Sequence, residues 1–206
     1  MTLRANRFLT FLLLLYAIIW IALALAPRDR AAWMLENLLV VLFVAALVFT
    51  FSRFAFSNRS YFLIVTFLSL HAVSAHYTYA QTPFGEWLKE AFDLSRNHYD
   101  RIIHFSFGLL MAYPVREVLL RVAGIPRVAA LWLTVATVLA ASTVFEIVEA
   151  LAAQIVSPAE GPRWLGTQGD VWDAQSDMVL ALIGATAAML LTWSRGMTNS
   201  RRTHGN

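Results

Sequence analysis

The chain has 206 residues, of which 59% are hydrophobic and only 14% charged, and it contains no cysteine. Its mean hydropathy of +0.60 is too high, and its charge too sparse, for an ordinary soluble domain. The lack of thiols excludes disulfides and thiolate metal sites. The net charge of +3 comes with no basic stripe interleaved with aromatics, so no nucleic-acid partner is expected.

In chain order, apolar segments fall at about 7–26, 34–56, 60–79, 101–123, 128–156 and 174–194, each near the roughly 20 residues that cross a bilayer as a helix. They predict an all-α integral membrane protein, a single domain over 1–206 with six transmembrane helices. The first segment, FLTFLLLLYAIIWIALALA, follows Arg4 and Arg7 as a signal peptide would. Its apolar run exceeds the roughly 7–15 residues of a signal core, so it is expected to be retained as a helix. The first two segments carry almost no polar residues and are expected to be scaffold or lipid-facing. Short turns, SNRS and AGIPR, precede the third and fifth segments. The longer connections at about 80–100 and 157–173 mix Gly, Pro, Trp and charge. Trp87, Trp164 and Trp172 suit a membrane–water interface. Residues 195–206 are expected to form a flexible polar tail in which His204 is inert.

With the N-terminus inside, Lys and Arg divide 10 inside to 6 outside, which accounts for all 16. That bias predicts a multi-pass protein with both termini cytoplasmic and its arginines against anionic lipid headgroups. The same topology gathers the ionisable residues of the last four segments near the outer face. Such groups are costly in hydrocarbon and persist where they pair, bind an ion or line a pathway.

Asp100 and His104 stand i,i+4 on one face of the fourth segment, where a carboxylate and an imidazole can share a metal or act as an oriented base. Capping of the helix is the plain alternative for Asp100, but His104 lies a turn further in. Glu146 and Glu149 share a face toward the C-terminal end of the fifth segment. There the helix dipole disfavours anions and no free N–H remains to be capped, so two carboxylates on one face call for shared protons or a cation. The plain alternative is that one of them, Glu149 rather than Glu146, snorkels to the outer headgroups. Asp170 and Asp173 resemble a capping box opening the sixth segment, while Asp177 lies roughly 10 Å inside its start. Beyond it the small residues Ala181, Gly184 and Ala185 suit close helix packing. Of the two histidines of the third segment, His76 is the better site candidate, and His71 is equally well explained as a packing residue.

A His, Asp and Glu set without Cys suits Zn²⁺, Mn²⁺, Fe²⁺ or Mg²⁺. The chain holds no HExxH, GxSxG or Walker-type loop, so no motif names a reaction. The series HAVSAHYTYAQTPFG, NHYDRIIHFSFG, FEIVEA and GDVWDAQSDM resembles the YjdF family of small bacterial inner-membrane proteins over about 60–190. That resemblance implies six spans in the inner membrane and implies no activity. YDRIIHF, FEIVEA and DAQSDMVLALIGA also resemble the more distant VanZ-like pattern of D-x-x-x-H, an acidic helix position and an aspartate before a small-residue helix. By that resemblance Asp100, His104, Glu146 and Asp177 would correspond to it, and VanZ-like proteins are associated with glycopeptide antibiotic tolerance.

The leading expectation is a metal-dependent membrane hydrolase or transferase acting on a lipid or cell-envelope precursor. Asp100, His104, Glu146 and Asp177 would hold a divalent ion, Glu149 or Asp173 would be the general base, and His76 would orient substrate or complete the shell. A proton- or cation-coupled carrier and a non-catalytic membrane structural factor are the alternatives.

Overall fold

A computed structural model describes residues 6–156 and 168–203, with side chains as far as Arg195. Asn6 accepts the Leu9 N–H and starts α1 (Arg7–Ala24), which ends where Pro27 approaches. Asp29 accepts the Ala31 and Ala32 N–H groups and starts α2 (Arg30–Thr50). That cap places the second helix several residues earlier than the apolar run at 34–56 suggests, since one side chain satisfies two orphan donors. Both helices leave most of their apolar residues exposed, Ile18 and Val48 among them. Such surfaces are satisfied by hydrocarbon.

Helix α3 (Asn58–Tyr77) runs parallel to α1. Asn6 donates to Asn58 Oδ1 (2.6 Å) at their starts, and His76 Nδ1 meets Leu23 O (2.7 Å) at their ends. Leu9, Leu12, Tyr61 and Val65 fill the seam between them. A short helix, α4 (Pro83–Ala91), lies within the long connection at about 80–100. It is amphipathic, with Phe84 and Trp87 stacked and exposed, as for a helix lying in an interface. Trp87 and Trp172 are both exposed, as the interfacial reading expects, whereas Trp164 lies outside the described residues.

Helix α5 (Tyr99–Arg121) is the centre of the molecule, touching α3 on one flank and α6 (Arg127–Val156) and α7 (Asp173–Thr203) on the other. At its far end from Asp100, Glu117 caps α3. Its carboxylate accepts the Ser57 N–H and the Ser57 hydroxyl, both at 2.9 Å, the Ser60 hydroxyl, and an Arg121 guanidinium N–H. An anion at a helix N-terminus is favourable, and this one ties two antiparallel helices together. Glu117 is therefore a buried structural residue of α5.

The closest approach is between α5 and α7. A Cβ on Gly108 would collide with the Ala181 carbonyl and the Ala185 N, and one on Gly184 with the Phe105 carbonyl. The small residues read from the sequence thus let two backbones meet, with Ala112, Ala185 and Ala188 sealing the contact. This crossing brings the N-terminal turns of α5 and α7 side by side. Helix α7 continues to Thr203, past residue 195 where a flexible tail is expected, because a lone glycine such as Gly196 does not end a helix. His204 lies outside the described residues.

The protein is thus all-α and integral to the membrane. Among the described residues, α1, α2, α5, α6 and α7 are the 5 helices long and apolar enough to span. Helix α3 falls outside that group. It has 20 residues, yet Ser60, Ser69, His71, Ser74 and His76 lower its hydropathy, and most of them face protein.

Candidate functional site

Asp100, His104 and Asp177 are buried where α5 meets α7, and one ligand-capable atom from each lies within 4.8 Å of the others. His104 Nε2 stands 3.4 Å from Asp100 Oδ1 and 3.5 Å from Glu146 Oε1, which arrives from α6. The i,i+4 spacing read from the sequence therefore puts Asp100 and His104 on one face, and the α5–α7 crossing delivers Asp177 to them. Asp100 does not cap its helix with its side chain. Asn97 does that work, accepting the Tyr99 N–H at 3.0 Å. Two buried carboxylate oxygens, Asp177 Oδ1 and Glu146 Oε1, have no hydrogen-bond partner. Buried acceptors left in this way are costly unless something positive reaches them.

Two arginines close the end of the bundle. Arg101 pairs with Asp177 Oδ2 (2.6 Å), Asp173 Oδ1 (2.7 Å) and Asp170 Oδ2 (2.8 Å). Arg96 pairs with the same Asp173 oxygen at 2.6 Å. Asp173, expected as a possible general base, is thus held between two guanidiniums. Asp170 does not form the expected capping box, because α7 begins only at Asp173. Its Oδ1 instead accepts the Trp172 N–H at 2.9 Å, a local turn that competes with the cap. That backbone N–H, with Arg101 and Arg96 beside it, lowers the Asp170 carboxyl below its usual range.

The helix expected to be scaffold or lipid-facing also contributes. Glu36 of α2 accepts from the Tyr79 hydroxyl (3.3 Å), and its Oε2 faces His71 Nε2 at 4.0 Å. Tyr79 is also 2.7 Å from His71 Nδ1, and His71 Nε2 has no partner. If the single Tyr79 proton goes to Glu36, Nδ1 carries the imidazole proton and Nε2 presents a lone pair. Glu36 also lines a small cavity of about 120 Å³ with Glu149 of α6. The plain apolar reading of α2 is therefore corrected at Glu36, which turns inward because α2 packs on α3 through Val40 against Ile64 and Leu68.

The ranking of the two histidines is reversed. His76, expected at the site, points to α1 and bonds the Leu23 carbonyl, where it satisfies an orphan C=O of a helix end. His71, equally well explained as packing, faces the carboxylates. The 140° between two residues five apart on a helix made a choice necessary, and the docking of α1 decided it. Sequence reasoning missed Glu36, Arg96, Arg101 and Tyr79. Glu36 carried a signal, as the sole acid inside its apolar segment, while the arginines looked like loop charges.

Beneath the carboxylates lies a cavity of about 570 Å³. His71, Tyr79 and His104 stand at its polar end. Its walls are Leu39, Val40 and Phe43 of α2, Phe67 and Leu68 of α3, Phe107 and Met111 of α5, and α6 from Thr137 to Val148. Glu36, Asp100, Glu146, Glu149, Asp170, Asp173 and Asp177 outnumber Arg96 and Arg101, the guanidiniums paired at this end of the bundle. A site so rich in carboxylates can hold a hard or borderline cation.

Residues 8–197 match the family model described as "Predicted membrane protein (DUF2238)". The chain is also 38% identical over 176 residues to the Inner membrane protein YjdF of Escherichia coli (strain K12), covering 84% of this chain and 83% of that one. No solved structure matches. None of these findings bears on the VanZ-like pattern.

Proposed function

The chain belongs to the family described as "Predicted membrane protein (DUF2238)", and we propose that its buried polar cluster is the divalent-metal centre of an inner-membrane enzyme. The observation that carries this reading is the buried trio Asp100, His104 and Asp177, accompanied by unpartnered oxygens of Asp177 and Glu146. Two ligands about 2.1 Å from a tetrahedral ion lie about 3.4 Å apart. The separations of His104 Nε2 from Asp100 and Glu146, 3.4 and 3.5 Å, match that spacing. One imidazole and several carboxylates suit Zn²⁺, Mn²⁺, Fe²⁺ or Mg²⁺.

When bound, such an ion would polarise a phosphoryl or acyl oxygen and lower the pKa of water, the chemistry of a hydrolase or transferase. The chain's own residues divide the remaining work. Arg101 takes one oxygen of Asp177 and leaves the other free, which fixes the orientation of that ligand. The pairing of Asp173 with two arginines favours Glu149 as general base, since Glu149 shares a cavity with Glu36 and no guanidinium. Tyr79 and His71 orient Glu36. Orientation with both termini cytoplasmic would place the centre at the outer face, where lipid or cell-envelope precursors are handled.

Elemental analysis of detergent-purified protein tests the reading. Near-stoichiometric metal in wild type, lost in Glu146→Gln and in Asp177→Asn, is expected, together with a melting temperature that falls on adding chelator. Metal-free wild type that ignores chelator would overturn it.

A further inference from the structure

We propose that the cavity between α2 and α6 seats one hydrocarbon chain of a membrane amphiphile, whose head lies against the carboxylate cluster. The proposal deepens the enzyme reading by naming the substrate's shape, and rests on it only for what happens at the head. Along α6 the cavity's wall runs from Thr137 to Val148 and is apolar apart from Thr137 and Ser142, roughly 16 Å at 1.5 Å per residue. That is about half of the ~30 Å hydrocarbon core. Its titratable lining residues, His71, Tyr79 and His104, collect at the end nearest Asp100. A slot with a polar end and an apolar barrel is complementary to an amphiphile and to few other things.

Volume decides between occupants. A helix from a second copy, about 10 Å across, would need on the order of 1,200 Å³ over that length. The cavity holds about 570 Å³. A methylene is close in size to a water molecule at about 30 Å³, so the space accepts on the order of 20 carbons, one chain and not two. Access is lateral. Leu39, Val144 and Val148 line the cavity and are also exposed on the sides of α2 and α6, at 37%, 58% and 41%. The surrounding solvent at that depth is lipid.

One independent detail points to a ligand. Ser142 lines the cavity, is 2% exposed, and its hydroxyl has no hydrogen-bond partner. Helical serines commonly bond the carbonyl four residues back, as Thr134 and Thr143 do on this same helix. Ser142 does not. It stands one turn deeper than Glu146, where it can donate to the linkage oxygen of an ester or phosphoester whose chain continues toward Met111.

The test uses full-length protein in lipid nanodiscs and a lysophospholipid with a diazirine midway along its acyl chain. Irradiation should label Phe43, Phe107 or Met111, as mapped by mass spectrometry. Ala141→Trp, which fills the cavity from α6, should cut that labelling at least fivefold. Gly124→Ala, in a turn with open space around it, should leave it unchanged, and metal content measured on the same samples reads loss of metal separately from loss of the chain seat. Unlabelled lysolipids of increasing chain length should compete better up to a limit and no further, a measurement that needs no variant. Label confined to outward residues such as Ile18 and Val48, or equal in Ala141→Trp, would overturn the proposal. So would competition independent of chain length, or cross-links from one copy of the chain to another within this cleft.

Discussion

His76 and His104 show how little a residue's type says about its task. Both are histidines near helix ends in apolar sequence, yet one satisfies a carbonyl of α1 and the other lies between Asp100 and Glu146. His76→Phe should therefore lower stability by about 1 kcal/mol, the net worth of one hydrogen bond, and leave metal content unchanged. His104→Gln should abolish metal binding in the same elemental assay. Arg101 answers to a different expectation. Its side chain is 11% exposed and its partner Asp177 only 2%, so removing the guanidinium strands a buried anion, at a cost of about 3 kcal/mol or more. Arg101→Met should depress the melting temperature strongly, and adding Asp177→Asn should restore part of the loss. A double variant no more stable than Arg101→Met would show that the pair is not the source.

At the scale of helices, the α5–α7 crossing sets the site. Gly108 and Gly184 allow backbone contact, and any side chain there must push the helices apart. Gly108→Val should cost about 1–3 kcal/mol by overpacking, and should also lower metal content, because Asp177 would leave Asp100 and His104. Gly124, in a turn with positive φ and open space around it, gives a contrast. Gly124→Ala should strain the turn modestly and leave the metal in place. Equal metal loss in the two variants, by elemental analysis normalised to folded protein, would argue that stability alone governs retention. Glu117 belongs to this scale too, since it fastens α3 to α5 at the end away from the site.

For the whole molecule, the central question is which side the site faces. The Lys/Arg bias predicts that both termini lie inside, and α3 runs beside α5 from the Glu117 cap to the His71 end. Reporter fusions at about residue 90 and at the C-terminus should therefore report opposite sides, with residue 90 periplasmic. A periplasmic C-terminus would place the carboxylates on the cytoplasmic side and remove the argument for an envelope precursor. Helices α1 and α2 present largely exposed apolar side chains, the surface a bilayer's hydrocarbon would cover.

The sequence by itself determined the class of the protein, most of its helices and the shared face of Asp100 and His104. Those are local consequences: apolar runs of bilayer length must become helices, and i,i+4 spacing fixes a shared face whatever surrounds it. Asp100 with His104, and the small residues of α7, were legible for that reason. Tertiary structure alone decided which of His71 and His76 turned inward, that Asp173 is held by two arginines, and that Glu36 of α2 belongs with His71 of α3 and Glu149 of α6. Each depends on the neighbour a side chain meets. No periodicity along one helix contains the position of another, and in a chain this apolar a single charge can face lipid headgroups, a partner or an ion with the same sequence around it.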